Sequence, residues 1–322
     1  MRRRCRLSSW LMIASLSVAF LIAVKLISQQ EHLEYILRKV PLILNRDMKK
    51  EQQRRKAIVH AHCRNTERGH RAIDTSNRKW LSRVFVEDRF RLLYCEVPKV
   101  GCTNWRRVLL VLAGHVNGPP NSIKHVAAHG IKELRPLSSY SNKEIHLRLN
   151  MYTKFLFVRE PFNRLVSAYR DKFEANNTLY EKLIGRWIIK DFRENPSKDA
   201  LATGKGVTFT EFVRFITYYT NHMDRHWFPM YKLCFPCDIH YDFIGKFESI
   251  NIEAPWFLHN VGTPDAVDYP KRKDTAFPRT NTDMTDYYIK QLSYEDRNAL
   301  FELARQDYEL FDYPKPKLTY LQ

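Results

Sequence analysis

The stretch RLLYCEVPKVGCTNWRRVLLVLAG, residues 91–114, contains the signals of a strand, a tight loop and a helix in direct succession. Leu92 to Val97 is a short, mainly apolar run, and Pro98 ends it because proline has no N–H for a strand ladder. Beyond the loop, apolar residues recur at the i, i+3, i+4 and i+7 spacing of one helix face: Trp105, Val108, Leu109 and Leu112. The stretch therefore predicts a buried strand that leads through a loop into a helix.

The loop, residues 98–104, carries the groups that hold a phosphate. Gly101 lets the backbone approach a ligand, Thr103 and Asn104 supply side-chain hydrogen bonds, and Lys99 supplies a positive charge where a helix begins. The lysine precedes the glycine, which argues against the NTPase motif G-x-x-x-x-G-K-[ST]. The absence of G-x-G-x-x-G argues against a dinucleotide fold.

The composition fits a folded protein with an anionic partner. Of 322 residues, 44% are hydrophobic and 13% aromatic, which is enough for a substantial core. The formal net charge of +18 fits nucleic acid, an acidic polysaccharide or a phosphate-bearing cofactor. Charge alone does not choose among these partners.

The N-terminus predicts a membrane anchor. Arginines among the first six residues precede a charge-free apolar segment from Leu7 to Val24, which Lys25 closes. Because positive residues stay on the cytosolic side, we expect the bulk of the protein in the lumen, and a nuclear nucleic-acid binder is disfavoured. A cleaved signal peptide is the main alternative. The predicted segments are a cytosolic tail (1–6), a transmembrane signal-anchor (7–27), a stem (28–78) and a lumenal domain (79–322).

The stem and the cysteines leave several arrangements open. An apolar stripe in the stem fits a helix that lies on the membrane or pairs with a second chain, so a homodimer stays open: Leu33, Ile36, Leu37 and Val40. Of six cysteines, Cys5 falls in the cytosolic tail. The lumenal ones, where disulfides persist, are Cys63, Cys95, Cys102, Cys234 and Cys237. Because five is odd, at least one thiol has no partner within the chain.

Predicted strands alternate with predicted helices from residue 79 to about Pro314. The strand-like runs are Arg83 to Val86, Leu92 to Val97, Lys154 to Val158 and Ile239 to Gly245. The helical patterns are Asn104 to Leu112, Asn163 to Phe173, Tyr180 to Phe192, Phe209 to Tyr218, Ile252 to Asn260 and Tyr294 to Leu310. The alternation predicts an α/β domain with a parallel central sheet flanked by helices.

A second strand–turn–helix unit follows in KFLFVREPFNRLVSAYRDKF, residues 154–173. The run 155–158 is continuously apolar, and Arg159 stands at its carboxyl end, where open α/β sheets bind ligands. Arg164 and Ser167 follow on the helix, and these side chains offer a planar fork and a hydroxyl to a phosphate. Alone, Arg159 would more often form a surface ion pair. Beside the first phosphate loop, it predicts a nucleotide with phosphates at both ends.

Both units resemble the cofactor motifs of Golgi carbohydrate sulfotransferases. The branch is that of the chondroitin and dermatan 4-O-sulfotransferases and the N-acetylgalactosamine 4-O-sulfotransferases. The resemblance runs from about Trp80 to Tyr313 and is carried by VPKVGCTNW (97–105), VREPFNRLVSAYRDKF (158–173) and HWFPMYKLCFPCDIHYDFIGKFES (226–249). It implies a type II Golgi membrane protein with a P-loop-like sulfotransferase fold. It also implies a glycan acceptor, 3′-phosphoadenylyl sulfate as the sulfate donor, and no metal.

The resemblance further implies roles for the site residues. The first loop would hold the 5′-phosphosulfate, and Lys99 would be catalytic by neutralising the oxygen between phosphorus and sulfur. Arg159 and Ser167 would hold the 3′-phosphate, and Arg279, on a looser resemblance, would add a further donor. The expected donor-binding residues are Pro98, Lys99, Val100, Gly101, Cys102, Thr103, Asn104, Arg159, Glu160, Pro161, Phe162, Asn163, Arg164, Leu165, Val166 and Ser167.

The acceptor hydroxyl needs a base, and histidine has a suitable unperturbed pKa of about 6.5. We favour His125 as this catalytic residue, because it follows the first helix and could fold back over the loop. His129 and Glu96 are the other near candidates, and a structural role is the alternative for each. Histidines further along the chain are His222, His226 and His240.

Two short motifs are less specific. Cys234 and Cys237 form a C-x-x-C that supplies only half of a zinc site, so a disulfide or two buried thiols is expected instead. Asn176 begins a usable glycosylation sequon, whereas a proline blocks the one at Asn195. We therefore expect no metal and a glycan at Asn176.

The sequence thus predicts an enzyme that transfers sulfate from 3′-phosphoadenylyl sulfate to a sugar hydroxyl. The expected position is O-4 of N-acetylgalactosamine, in chondroitin, dermatan or a glycoprotein glycan. The alternative is a non-catalytic, membrane-anchored protein that binds acidic glycans through the same basic surface. Lys99 and the paired phosphate sites argue against that alternative.

Overall fold

The computed structural model describes residues 45–64, 78–130, 133–175, 177–221, 223–271 and 278–319. The chain divides into two compact units at Gln52; of the first, only positions 45–51 of one helix are described. The predicted anchor (7–27) and Asn176 lie outside the described residues. Within the ranges given above, no helix is long and apolar enough to cross a membrane.

Strands and helices alternate along the described chain. The strands are β1 (Val84–Glu87), β2 (Leu92–Cys95), β3 (Thr153–Val158) and β4 (Phe243–Lys246). The helices are α1 (residues 45–64), α2 (Cys102–Leu112), α3 (His125–Gly130), α4 (Asn142–Met151), α5 (Pro161–Tyr169), α6 (Thr178–Tyr180), α7 (Arg186–Phe192), α8 (Lys198–Thr203), α9 (Phe209–Tyr218), α10 (Met230–Cys234), α11 (Ile250–Asn260), α12 (Thr282–Lys290) and α13 (Tyr294–Leu310). Single π-helical turns, Arg170–Glu174 and Glu181–Gly185, follow α5 and α6. The predicted α/β architecture with a central sheet is confirmed.

The sheet has the strand order β1-β2-β3-β4, and β2, β3 and β4 run parallel. The register pairs Tyr94 with Phe155 and Leu156 with Ile244, so the carboxyl ends of the three parallel strands lie along one edge. β1 is antiparallel to β2, so the prediction of a wholly parallel sheet is wrong at this edge. The reason is that β1 and β2 are connected by a short turn, residues 88–91, and a turn this short can join only antiparallel strands.

Helices cover both faces of the sheet. On one face, the Trp105 ring of α2 and the Phe257 ring of α11 both pack on Phe155, with ring centroids 4.9 and 4.4 Å away. Cys95 follows Tyr94 in β2 and therefore faces the opposite side. There it forms a disulfide with Cys234 of α10.

A second hydrophobic cluster joins the helices beyond the sheet. It contains residues of α5, α7, α9, α12 and α13, with Trp227 from the segment before α10. α9 and α13 begin at the residues that the sequence predicts, because Thr208 and Ser293 cap them by accepting from backbone N–H groups. This cluster supports α5, the helix that follows Arg159.

The described part of the predicted stem is helical, and from Gln52 onward it packs on the sheet. The Gln52 side-chain amide donates to the Ile244 carbonyl at 3.1 Å and accepts from the Ile244 N–H at 2.9 Å. β4 is an edge strand, so this amide satisfies backbone groups that a neighbouring strand would otherwise take. Arg55 forms a buried bidentate pair with Glu253 of α11, and Cys63 is bonded to Cys237. The part of α1 from Gln52 onward therefore covers the β4 edge of the sheet. The domain boundary at residue 79 stays a prediction.

The two cysteines of the C-x-x-C motif pair with distant residues. Cys63 bonds to Cys237 and Cys95 to Cys234, while the Cys102 thiol is free. Of the two expected states, a disulfide or two buried thiols, the disulfide is confirmed for both cysteines, and each is bonded to a distant element of the fold. No group of three or more metal-ligating side chains occurs among the described residues. Metal-free chemistry stays a prediction.

Loss of the Cys95–Cys234 disulfide should lower the free energy of unfolding by about 2–5 kcal/mol, because the bond closes a long chain loop in the unfolded state. The variant to make is Cys95→Ser with Cys234→Ser, and the measurement is denaturant unfolding of the purified protein. Peptide mapping without reductant should show the Cys63–Cys237 bond intact. An unchanged unfolding midpoint would contradict the assigned pairing.

Candidate active site

The loop of residues 98–104 lies at the carboxyl end of β2 and leads into α2. Lys99 and Gly101 both have left-handed backbone, with φ of 69° and 74°, and Gly101 caps the helix. The amides of Cys102 and Thr103, in the first turn of α2, have no acceptor within the helix. A left-handed turn before a helix start aims successive N–H groups at one point and binds anions. We call residues 98–104 the anion loop.

The chain around residue 270 fixes the anion loop. Tyr269 donates its hydroxyl to the Gly101 carbonyl at 3.3 Å, and Asn104 donates its amide to the Pro270 carbonyl at 2.9 Å. A Cβ at Gly101 would lie 2.3 Å from the Tyr269 hydroxyl oxygen, and its φ of 74° disfavours L side chains. Glycine is therefore needed at this point of the loop.

Lys99 faces a carboxylate. Its ammonium lies 3.3 Å from Asp171 Oδ2, and the Lys172 ammonium lies 3.0 Å from the same oxygen. Burial lowers the pKa of Lys99, while Asp171 opposes that shift. Burial would raise the pKa of Asp171, but the two lysines outweigh it and lower that pKa. The arrangement places two ammonium groups beside the anion loop with one counter-ion between them.

Arg159 links the ends of the parallel strands. It is 4% exposed, and it donates to the Lys99 carbonyl at 3.1 Å and the Thr280 carbonyl at 2.7 Å. Its guanidinium also lies over the Phe247 ring, 4.7 Å from the centroid, just after β4. Burial first, and the neighbouring Arg279 charge second, lower the pKa of Arg159 to about 10. Arg159 is thus a buried cation that positions the anion loop by binding backbone carbonyls, and not the surface ion-pair residue that is the alternative from the sequence.

Arg164 is more deeply buried and contacts backbone carbonyls. Its Nε donates to Pro98 at 3.1 Å, and its other two nitrogens donate to Phe228 at 2.9 Å and Arg225 at 3.2 Å. Burial lowers the pKa of Arg164 to about 10, with Asp307 opposing. Its three nitrogens are used in these contacts, so the geometry favours a structural role over direct contact with a phosphate.

The remaining predicted residues of the strand–turn–helix segment 154–173 differ in their surroundings. Glu160 caps α5 by accepting from the Asn163 N–H at 2.6 Å, and it also accepts from the Tyr308 hydroxyl. Ser167, on the following turns of α5, is half-buried. The apolar members are buried in the protein interior: Pro161, Phe162, Leu165 and Val166. Direct donor contact by these residues stays a prediction.

A histidine contacts the anion loop directly, and it is His129. Its Nε2 lies 3.0 Å from the Thr103 hydroxyl oxygen. Burial first, and the nearby Arg106 second, lower the pKa of His129 to about 4. The His125 ring lies beside it, tilted by 44° with centroids 5.0 Å apart, and both side chains are exposed. The geometry therefore favours His129 over His125 as the base, and either assignment stays a prediction.

Glu96 is unsuited to act as a base. It is 3% exposed, accepts from Arg83 at 2.8 Å, and forms a second ion pair with Arg106. Burial would raise its pKa, but the arginines outweigh burial and lower it. Of the distant histidines, His226 pairs with Asp224 at 2.5 Å, whereas His222 lies outside the described residues.

Comparison with known proteins agrees with this geometry. The model of the sulfotransferase family matches residues 82–314. This chain belongs to the sulfotransferase family. The predicted resemblance is confirmed, and the two strand–loop–helix corners described above both lie within the match.

Several relatives of this sulfotransferase-family chain are named carbohydrate sulfotransferases. It is 44% identical to carbohydrate sulfotransferase 9 of Homo sapiens over 242 residues, 74% of this chain and 54% of that protein. It is 43% identical to carbohydrate sulfotransferase 8 of Mus musculus, over 82% of this chain and 64% of that protein. For carbohydrate sulfotransferase 11 of Rattus norvegicus the identity is 39%, over 73% and 68% of the chains. The chain thus spans less than two thirds of the first two relatives, and no solved structure matches it significantly.

The sequence analysis assigned no site role to three charged residues that lie near the site: Asp171, Lys172 and Arg225. Asp171 and Lys172 stand in the same motif as Ser167, and Asp171 lies four positions after it, a spacing that places residues on one helix face. That spacing was a usable signal. Arg225 carried no comparable signal, because it lies in a loop that reaches the site only through Arg164.

The contacts of Arg164 predict a stability effect. Arg164→Met should lower the free energy of unfolding by about 2–4 kcal/mol, because it leaves one buried and two partly buried carbonyls without their donor. Denaturant unfolding is the measurement. Arg214→Met is the control: Arg214 pairs with Asp296 and is 50% exposed, so its loss should cost under about 1 kcal/mol. Equal effects of the two substitutions would contradict the structural role of Arg164.

Proposed function

We propose that this protein transfers sulfate from 3′-phosphoadenylyl sulfate to a hydroxyl of a sugar, at O-4 of N-acetylgalactosamine. The observation that carries the proposal is the anion loop at the end of β2, which contains Lys99, together with Arg159 at the end of the neighbouring strand. Membership of the sulfotransferase family supports the donor. The names of the relatives support a carbohydrate acceptor.

The residues at the anion loop fit the phosphosulfate end of the donor. The first amides of α2 and the Thr103 hydroxyl are hydrogen-bond donors, and Lys99 and Lys172 supply charge. Bound donor would replace Asp171 as the partner of Lys99. The 3′-phosphate would be held by Ser167 and by the guanidinium N–H groups of Arg159 other than those donated to Lys99 and Thr280.

The reaction moves one group and one proton. The acceptor hydroxyl oxygen attacks sulfur, the bond between sulfur and the bridging oxygen breaks, and the electron pair stays on the leaving 5′-phosphate. Lys99 stabilises the charge that develops on that oxygen, which lowers the barrier because the interaction strengthens in the transition state. The proton of the acceptor hydroxyl passes to a base, for which His129 lies nearest the anion loop. His125 is the second candidate.

The cellular setting is also a proposal. The arginine-rich start and the apolar segment 7–27 support a single-pass type II protein of the Golgi membrane with its catalytic domain in the lumen. The disulfides Cys63–Cys237 and Cys95–Cys234 fit that oxidising compartment. A homodimer through the stem stays open.

Transfer of labelled sulfate to a panel of desulfated glycans tests the proposal. The panel holds chondroitin, dermatan and glycoprotein glycans that end in N-acetylgalactosamine, and disaccharide analysis locates the label. The expected result is label at O-4 of N-acetylgalactosamine. Label at another position would refute the position alone. Glycan binding without label on any member would refute the enzyme and favour a non-catalytic glycan-binding protein.

A further inference from the structure

A cavity of about 430 Å³ lies between α1 and the loop that follows α10, within the second compact unit. Asp242, just before β4, is part of its wall, so the cavity lies toward the amino ends of the parallel strands. The anion loop, residues 98–104 of the described chain, lies at their carboxyl ends and forms no part of this wall. A cavity of this size can hold a small molecule. We call it the α1 cavity.

One of the two disulfides lines the α1 cavity. Both residues of the Cys63–Cys237 bond belong to the wall, and Cys237 is half-buried. Both residues of the Cys95–Cys234 bond are 0% exposed, and they lie away from the wall. Thiol–disulfide exchange requires that a thiolate reach a sulfur atom of the bond. A small thiol in the cavity therefore has access to Cys63–Cys237, whereas Cys95–Cys234 is closed to it.

The wall of the α1 cavity is mainly basic. Its basic residues are Lys56, His60, Arg64 and His240. The first three recur every four positions along α1, a spacing that places them on one helix face. Asp242 is the one acidic residue among the described residues of the wall, and the Lys154 ammonium pairs with it at 2.9 Å. The charge of this wall therefore favours a negatively charged molecule.

The backbone on both sides of Cys237 is strained. Phe235 and His240 have φ of 47° and 32°, in the left-handed region that residues other than glycine seldom adopt. Such conformations persist where the surrounding structure holds them, and the bond at Cys237 is one of the constraints on this segment. Breaking that bond lets residues 235–240 relax. Exposed or strained disulfides are the ones that exchange readily.

We propose that the α1 cavity binds a small thiol that carries carboxylates, and that this thiol exchanges with the Cys63–Cys237 disulfide. The thiolate attacks the Cys237 sulfur and forms a mixed disulfide with it. The Cys63–Cys237 bond breaks, and its electron pair leaves on the Cys63 sulfur as a thiolate. A second small thiolate then attacks the sulfur of the first, releases the oxidised small disulfide and leaves both cysteines reduced.

The choice of the attacked sulfur follows from accessibility. Cys237 is half-buried, whereas Cys63 is 8% exposed. The departing Cys63 thiolate stays on α1 next to Arg64, and nearby positive charge favours a thiolate. Gln52 and Arg55 hold α1 to the sheet through contacts that do not involve the disulfide, so the fold survives the exchange.

The test follows exchange in the purified full-length protein with three thiols at equal thiolate concentration. They are glutathione, which is anionic, 2-mercaptoethanol, which is neutral, and cysteamine, which is cationic. Free thiols are alkylated at set times, and peptide mapping reports each disulfide separately. With glutathione, Cys63–Cys237 should exchange about 100-fold or more faster than Cys95–Cys234, because the buried bond is reached only after local unfolding. The first product should carry glutathione on Cys237 and a free thiol on Cys63.

Two double variants test the role of charge. Lys56→Gln with Arg64→Gln removes two exposed cations from the wall, and Lys198→Gln with Arg214→Gln removes two exposed cations from α8 and α9. The first double variant should slow exchange with glutathione by about 10-fold and change that with 2-mercaptoethanol by less than about 2-fold, because local charge concentrates only charged molecules. The second should change neither rate. Both should unfold near the wild-type midpoint, since all four side chains are exposed.

Three outcomes would overturn the inference. They are exchange of Cys95–Cys234 as fast as that of Cys63–Cys237, a rate with glutathione no higher than that with cysteamine, and equal slowing by the two double variants. The inference does not rest on the proposed function, because exchange uses neither sulfate donor nor acceptor. A wild type that transfers sulfate to no glycan would refute the proposed function and leave this inference standing.

Discussion

Replacing Lys99 with alanine should reduce sulfate transfer by at least about 100- to 1,000-fold, the loss seen when a preorganised transition-state charge is removed. In the structure the Lys99 ammonium stands at the anion loop, 3.3 Å from Asp171, and is 20% exposed. It is thus placed to move from that counter-ion to the bridging oxygen of a bound donor. The measurement is kcat for transfer from labelled donor to a saturating glycan acceptor.

The control for Lys99→Ala is a second lysine in a comparable ion pair. Lys154 pairs with Asp242 at 2.9 Å and is 13% exposed. It lies near the start of β3, so it is at the opposite end of the strands from the anion loop. Lys154→Ala should keep turnover within about 3-fold, because its charge lies at the amino end of β3, away from the anion loop. Both variants should unfold near the wild-type midpoint. Retained turnover in folded Lys99→Ala would remove the catalytic role of this lysine.

His129→Ala should lose about 100- to 10,000-fold in turnover, the range for removal of a general base. The reason is position: the ring lies 3.0 Å from the Thr103 hydroxyl of the anion loop. His125→Ala is the matched comparison, because the two rings lie side by side on one short helix with centroids 5.0 Å apart. We expect less than about a 10-fold loss there, since it is His129 that contacts the Thr103 hydroxyl of the anion loop. A larger loss in His125→Ala would restore the assignment that the sequence favours.

The pH dependence gives a second test of His129. Its pKa is lowered to about 4 in the free protein, so the ring is neutral, and able to accept a proton, above that pH. Bound donor adds negative charge and raises this pKa. At saturating donor, kcat/KM for the acceptor should therefore fall as pH drops, with the midpoint above 4. The same acid limb in His129→Ala would show that another group is the base.

Buried strands and capped helices could be predicted from the sequence because their signals are local. Leu92–Cys95 is a fully buried run, and Thr208 and Ser293 mark the starts of α9 and α13 by capping them. α4 was missed, since only Ile145 and Leu149 of its residues are buried and no apolar stripe forms. Propensity alone does not reveal such a helix.

The part of the candidate site that lies at the carboxyl ends of the strands could be predicted from the sequence. Lys99 and Arg159 could be assigned to one sheet edge because parallel strands present their carboxyl ends together. The contacts of Arg164 could not, since its three carbonyl partners lie more than 60 positions away along the chain. The disulfides were unpredictable for the same reason: they join cysteines 139 and 174 positions apart, and spacing does not give connectivity.

The central claim is that the anion loop and Lys99 transfer sulfate from a phosphosulfate donor to a glycan. The most direct measurement follows donor labelled in its sulfate, and counts label on N-acetylgalactosamine-containing glycan against 3′-phosphoadenosine 5′-phosphate released. The account predicts equal molar amounts of both products with the wild type and almost none of either with Lys99→Ala. Nucleotide release without labelled glycan, or undiminished labelling by Lys99→Ala, would contradict it.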